Sequence, residues 1–108
     1  MPTGISDYES LLGEKPISTR LIQTTTLSDI ISASPFEPEE ISYVNIDCEG
    51  HDLEVLRGLD LRRCRPRVIA IEGWTTEERR MQSEFLEGFG YRLNQFHSLV
   101  SLFGRVDE

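Results

Sequence analysis

At 108 residues and 38% apolar side chains, the chain is one small globular domain or a piece of a larger one. Its 19 acidic and 11 basic side chains leave a net charge of −8, which argues against a duplex-binding surface built on clustered lysines and arginines. No stretch approaches the roughly 20 apolar residues that cross a bilayer, and the opening MPTGISDYES has neither the basic start nor the apolar run of a secretory signal. The expectation is a cytoplasmic chain with no membrane and no nucleic-acid partner.

Residues 1–19 are polar and punctuated by Gly4, Gly13 and Pro16, which predicts an N-terminal arm ahead of a folded part over residues 20–108. Arg20–Thr25 (RLIQTT) reads as a short strand. Thr26 is placed to cap a short helix whose Leu27, Ile30 and Ile31 share one face, with Asp29 three residues beyond the cap. The segment Ser34–Glu40, with two prolines, is a connection. Ile41–Asp47 (ISYVNID) is the first well-marked strand. From His51 the apolar period becomes helical, with Leu53, Leu56 and Leu59 recurring and Gly58 positioned to end the helix in a left-handed conformation. The cluster Arg62, Arg63, Arg65 and Arg67 is predicted to be a solvated turn that needs no ligand.

Arg67–Glu72 (RVIAIE) is a second strand, apolar on both faces of the pleat as in a parallel sheet. Thr75 or Thr76 caps the next helix, whose expected buried stripe is Met81, Phe85 and Phe89, and Gly88 and Gly90 end it. Tyr91–Phe96 and Leu99–Arg105 form a closing pair of strands with a tight turn at His97-Ser98. Cys48 and Cys64 make no CxxC pair, and Cys48 is predicted to be a small buried side chain.

This order predicts an α/β fold with a mostly parallel sheet and right-handed crossovers. If both crossovers step the same way across the sheet, both helices lie on one face. The other face of RVIAIE then needs a cover that residues 1–40 scarcely supply, so the sheet reads as part of a larger one.

Ligands of open α/β sheets bind beyond the carboxyl ends of the strands. Asp47 and Glu49 follow the first strand, Glu72 ends the second, and His51 opens the helix beside them. A histidine there can take a proton from a hydroxyl near neutral pH. A carboxylate there can orient the histidine, contact a cationic group or ligate a divalent ion, and spacing does not choose among these. Helix-dipole complementarity for the acids and turn freedom for Gly50 account for the same residues without any function. Trp74 and His97 read as packing and turn residues.

Ile41–Glu72, ISYVNIDCEGHDLEVLRGLDLRRCRPRVIAIE, resembles the FkbM family of methyltransferases. That family shows an apolar strand ending in Ile-Asp-x-Glu-Gly-His/Ala-Asp/Glu, then a Leu-Glu-Val-Leu-Lys/Arg-Gly helix and an Arg-Pro-x-x-Ile-x-x-Glu strand. TTLSDII at Thr25–Ile31 and FLEGFGYRL at Phe85–Leu93 are similar to flanking family segments, so the resemblance runs over residues 20–105 in order. It implies a Rossmann-like fold and methyl transfer from S-adenosylmethionine to a hydroxyl of a small-molecule acceptor. On that reading His51 is the general base, Glu49 orients it, and Asp47 lies near the methyl-donor end of the cofactor.

Two features depart from the family. Asn45 stands where lysine is usual before the Ile-Asp, and residues 1–40 contain no Asp-x-Gly-Ala-Asn-type glycine loop. The expectation is therefore an incomplete Rossmann-like domain, carrying the later strands and a closing antiparallel strand. Such a domain is inactive alone and associates with itself through an open sheet edge. Two other readings remain: a non-catalytic remnant serving as a protein interaction module, and a metal-binding domain using Asp47, Glu49 and His51.

Overall fold

A computed structural model describes residues 18–106. In chain order the elements are α1 (Leu27–Ser32), a 3-10 turn (Pro38–Glu40), β1 (Tyr43–Ile46), α2 (Asp52–Arg57), β2 (Val68–Glu72), α3 (Thr76–Glu87), β3 (Tyr91–His97) and β4 (Val100–Arg105). The four strands form one sheet in the order β1-β2-β4-β3. β1 and β2 are parallel, and β4 runs antiparallel to both β2 and β3, so β3 has the direction of β1 and β2. The last strand is thus inserted between the second and the third. The chain is a mixed α/β domain, as the element order predicts.

α2 packs on β1 and against α3, and α3 packs on β3, so both crossover helices cover the same sheet face. Side chains alternate across a strand, and the register places Ile46, Ile69, Ile71, Ser101 and Phe103 on that covered face, where all are buried. Leu56 of α2 and Leu86 of α3 close over them, each fully buried. A leucine taken fully out of water contributes about 1.5–3 kcal/mol. Tyr91 completes this core, its hydroxyl donating to the Pro66 carbonyl at 2.7 Å.

The opposite face holds Tyr43, Asn45, Val68, Ala70 and Leu102. It is less bare than the sequence suggests. Tyr43 and Asn45 are exposed, but Ala70 is only 3% exposed and Val68 half-buried, because a methyl group in the middle of a sheet is screened by its cross-strand neighbours.

Local chemistry explains the element ends. The Thr26 hydroxyl accepts from the Asp29 N–H, and Thr75 and Glu78 form a reciprocal capping box at the start of α3. Arg80 on the exposed face of α3 pairs with Glu77 and Glu84.

Several expectations are corrected. Arg20–Thr25 forms no strand: Leu21 and Ile22 are exposed, and no neighbouring chain pairs with them among the described residues. Gly58 ends α2 at φ −83°, not in a left-handed conformation, with its N–H bonded to the Val55 carbonyl. Ile30 faces solvent while Leu27 and Ile31 pack on the core. On α3 the buried positions are Gln82 and Leu86. Phe85 and Phe89 flank them with ring centroids 5.2 Å apart, and Met81 lies exposed. The closing hairpin turns at Ser98-Leu99, both at positive φ, rather than at His97-Ser98. His97 is instead the last residue of β3, paired with Val100.

The arginine cluster is only partly a solvated turn. Arg63 pairs with Glu39 at 3.3 Å on the surface. Arg65 folds inward, donating to the Leu61 and Phe89 carbonyls while its guanidinium lies over the Tyr91 ring. The predicted arm over residues 1–19 lies almost wholly outside the described residues.

Candidate active site

The pairing of Ile46 with Ile71 fixes the geometry of the rim. Asp47 and Glu72 follow these partners in parallel strands, so both emerge at the same carboxyl end. The chain then turns sharply at Glu49 (φ 49°) and Gly50 (φ 99°), closed by the His51 N–H donating to the Cys48 carbonyl at 3.3 Å. A glycine takes this conformation freely, but a glutamate there is strained by about 1–2 kcal/mol. Backbone strain of this kind collects at functional sites.

The residue that organises the rim is one the sequence reading passed over. Asp52, at the first position of α2, is 2% exposed. One carboxylate oxygen accepts from the Cys48 N–H at 3.0 Å and the other from the Glu72 N–H at 3.2 Å. A single side chain therefore ties the turn after β1 to the end of β2. An acid at a helix start reads as a dipole partner, which hides this role. The signal was present in the final Asp/Glu of the Ile-Asp-x-Glu-Gly-His-Asp pattern.

Glu72 has a second tie. The Gln82 amide, from α3, donates its N–H to the Glu72 carbonyl at 2.9 Å. Gly50, Asp52, Glu54, Glu72, Glu78 and Gln82 line a cleft of about 150 Å³ between α2 and α3 at this rim. His51 instead lines an open groove between α1 and α2, with Thr24, Thr25, Thr26 and Glu54.

Asp47, Glu49 and His51 are all exposed, and among the described residues no hydrogen bond joins the His51 ring to Glu49. The structure thus brings Asp47 and Glu72 to one rim, sets His51 beside them on the turn, and does not form a His51–Glu49 pair. Among the described residues no three His, Cys, Asp or Glu side chains are grouped to hold a metal ion.

Asn45 lies exposed on the uncovered sheet face, level with Ala70. Trp74 is not a packing residue: it is half exposed, and its backbone N–H donates to Glu78. No helix among the described residues is long and apolar enough to cross a membrane.

Cys48 is exposed at the rim rather than buried as expected, while Cys64 is buried. Burial, with Glu39 and Asp60 adding like-charge repulsion, raises the Cys64 thiol above its ordinary value. The thiolate is the reactive form, so a disulfide reagent at pH 8 is expected to titrate Cys48 at once. Cys64 should react about 100-fold more slowly until denaturant is added. Equal rates for both thiols in the native chain would contradict this packing.

The comparisons bear on the whole chain. The sequence matches the family described as Methyltransferase FkbM domain over residues 2–101 of 108. The match starts upstream of residue 20, where the motif resemblance begins. No curated protein and no solved structure matches the chain significantly. With a match over nearly its full length, and with methyltransferase function as the activity of that domain, the chain belongs to the FkbM methyltransferase family.

Proposed function

We propose that this chain is the acceptor-side part of a Rossmann-like, S-adenosylmethionine-dependent O-methyltransferase, and that it works only with a glycine-loop segment it does not itself carry. The observation that supports this most is the shared rim of Asp47 and Glu72, beside the strained Glu49-Gly50 turn that sets out His51. The inserted antiparallel β4 supports the later half of such a sheet.

The acidic rim suits the cationic methyl-donor end of S-adenosylmethionine. The described residues provide no glycine-rich turn leading into a helix for the cofactor's carboxylate and ribose. When bound, the cofactor supplies an electrophilic methyl carbon. In this reading Asp47 faces its cationic end, and His51 takes the acceptor hydroxyl proton on the imidazole nitrogen. Methyl transfer needs in-line approach above all, and the Asp52 tie holds the rim to one geometry. The acceptor is a small hydroxylated molecule, and the reaction is cytoplasmic.

The β1 edge supports dependence on a second segment. The Ser42 carbonyl accepts from the N–H groups of Arg67 and Val68, so by alternation the backbone groups of Tyr43 and Asn45 point away from the sheet. An open strand edge recruits another strand. Calorimetry with S-adenosylmethionine tests the cofactor half of this reading. Binding is expected in the chain joined to a strand and glycine loop, and not in the 108 residues alone. Light scattering on the chain alone should show association that Asn45→Pro reduces, since proline is tolerated on an edge but withdraws an outward N–H. Micromolar cofactor binding by a monodisperse monomer of the chain alone would overturn the proposal.

A further inference from the structure

The groove that His51 lines, between α1 and α2, has a chemical character that the methyltransferase reading does not specify. Its volume is about 520 Å³, within the roughly 300–1,000 Å³ of small-molecule sites. The two helices that form it are tied together. The Ser28 N–H donates to the Gly58 carbonyl at 3.0 Å, and the Asp60 N–H donates to the Ser28 hydroxyl at 2.7 Å. Thr26 approaches Gly58 so closely that a Cβ there would stand 3.2 Å from the Thr26 Cβ.

The lining is mostly apolar. Leu27 and Val55 are half-buried against the core, while Ile30 lines the groove with 53% of its surface exposed. Ile30 belongs to the apolar positions of α1, yet nothing among the described residues covers it. The polar groups are few. The Thr25 hydroxyl donates to the Asp29 carboxylate and the Thr26 hydroxyl accepts from the Asp29 N–H, so both are already engaged. The Thr24 hydroxyl, Glu54 and His51 remain, and no lysine or arginine lines the groove.

Two requirements meet at this place. A general base must lie within hydrogen-bond reach of the hydroxyl whose proton it takes, and the groove at His51 must cover apolar side chains that water meets poorly. A polyol would lose water from many hydroxyls and find three polar side chains to replace it. An anion would meet Glu54 with no cation to offset it. An apolar skeleton covers Ile30, Leu27 and Val55 and needs a partner for its one hydroxyl. We propose that this groove is the acceptor site, and that the acceptor is an alcohol carried on a mainly apolar ring or chain rather than a sugar. The inference rests on His51 as the base in the proposed function and narrows its substrate.

Cyclohexanol and inositol, the same six-carbon ring with one hydroxyl or six, test it on the 108-residue chain. The chain has two histidines, so His51 is followed through its ring C–H resonances with His97, at the end of β3, as the internal control. Cyclohexanol should move His51 with half-saturation in the millimolar range, as suits a ligand of that size, and at least about tenfold below inositol. His97 should not move. Inositol moving His51 at the lower concentration would make the groove a polyol site. Equal movement of both histidines would mark a general effect of the alcohol. Either outcome overturns the proposal.

Ile30→Asn, at an exposed helix position, should weaken cyclohexanol binding about fivefold without disturbing the fold. Thr24→Val, which exchanges a hydroxyl for a methyl group of the same shape, should tighten it about twofold. Unchanged affinity in both variants overturns the proposal. So does a His51 shift that grows with chain concentration before any alcohol is added, which would give the groove to a second copy of the chain. No cofactor enters this titration, so a flat cyclohexanol response rejects the groove and leaves the methyltransferase reading to its own calorimetric test.

Discussion

Replacing Asp52 with alanine is expected to destabilise the chain by about 2–5 kcal/mol, because it strips the acceptor from two backbone N–H groups at once. Those groups, on Cys48 in the turn after β1 and on Glu72 at the end of β2, lie in different parts of the chain, and their common partner is a side chain with almost no exposure. Small domains are stable by only about 5–15 kcal/mol, so the loss is a large fraction of the whole. Loss of a negative charge in the first turn of α2 adds a few tenths of a kcal/mol more.

Asp52→Asn should fall between wild type and alanine. Its single oxygen can satisfy one N–H, but its NH₂ then faces the other, donor to donor. Urea unfolding followed by circular dichroism measures both variants. Equal stability of Asp52→Asn and wild type would show that one of the two contacts carries no weight. An alanine variant within about 0.5 kcal/mol of wild type, the usual range for a surface change, would dismiss the tie altogether.

The fold was legible where periodicity was strong and local. β1, α2, β2 and α3 each combine a clear apolar period with a turn or cap signal, and all four appear within a few residues of their expected bounds. The same-face placement of the helices follows from handedness because both crossovers step the same way across the sheet, from β1 to β2 and from β2 to β3. RLIQTT failed for the opposite reason. Its β-propensity is real, but propensity is only fitness for a pleated surface, and among the described residues no strand stands beside residues 20–25 to supply one.

The closing turn slipped by one residue because neither Ser98 nor Leu99 announces a positive φ as glycine or asparagine does. Of the expected stripe on α3, Phe85 and Phe89 pack half-buried against the core and only Met81 lies exposed, because a spacing of four drifts around a helix of 3.6 residues per turn. Leu86 and Gln82, closer to the centre of that face, are its fully buried residues. Gln82 and Asp52 share a lesson about sites. Polar residues in a helical pattern default to the solvent side, and nothing in the sequence says that these two turn inward to bind backbone groups at the end of β2. The exposed candidates Asp47, Glu49 and His51 were legible because strand ends and turn residues are marked by position, whereas their supports are marked only by packing.

That division predicts opposite behaviour for the two groups when activity is measured in the chain joined to a strand and glycine loop. His51→Ala is expected to lower kcat about 100-fold, the lower end of what a positioned general base contributes. Asp47→Asn is expected to lower kcat/KM about tenfold or more, by removing the charge that the proposed function sets opposite the cationic end of the cofactor. Neither should change unfolding free energy by more than about 0.5 kcal/mol, since both side chains are exposed and neither makes a hydrogen bond among the described residues.

Asp52→Asn should show the reverse order, losing stability first and turnover only as the rim loosens. If His51→Ala retains near-normal turnover, the proton leaves through another group, and the turn at Glu49-Gly50 serves the shape of the rim rather than its chemistry.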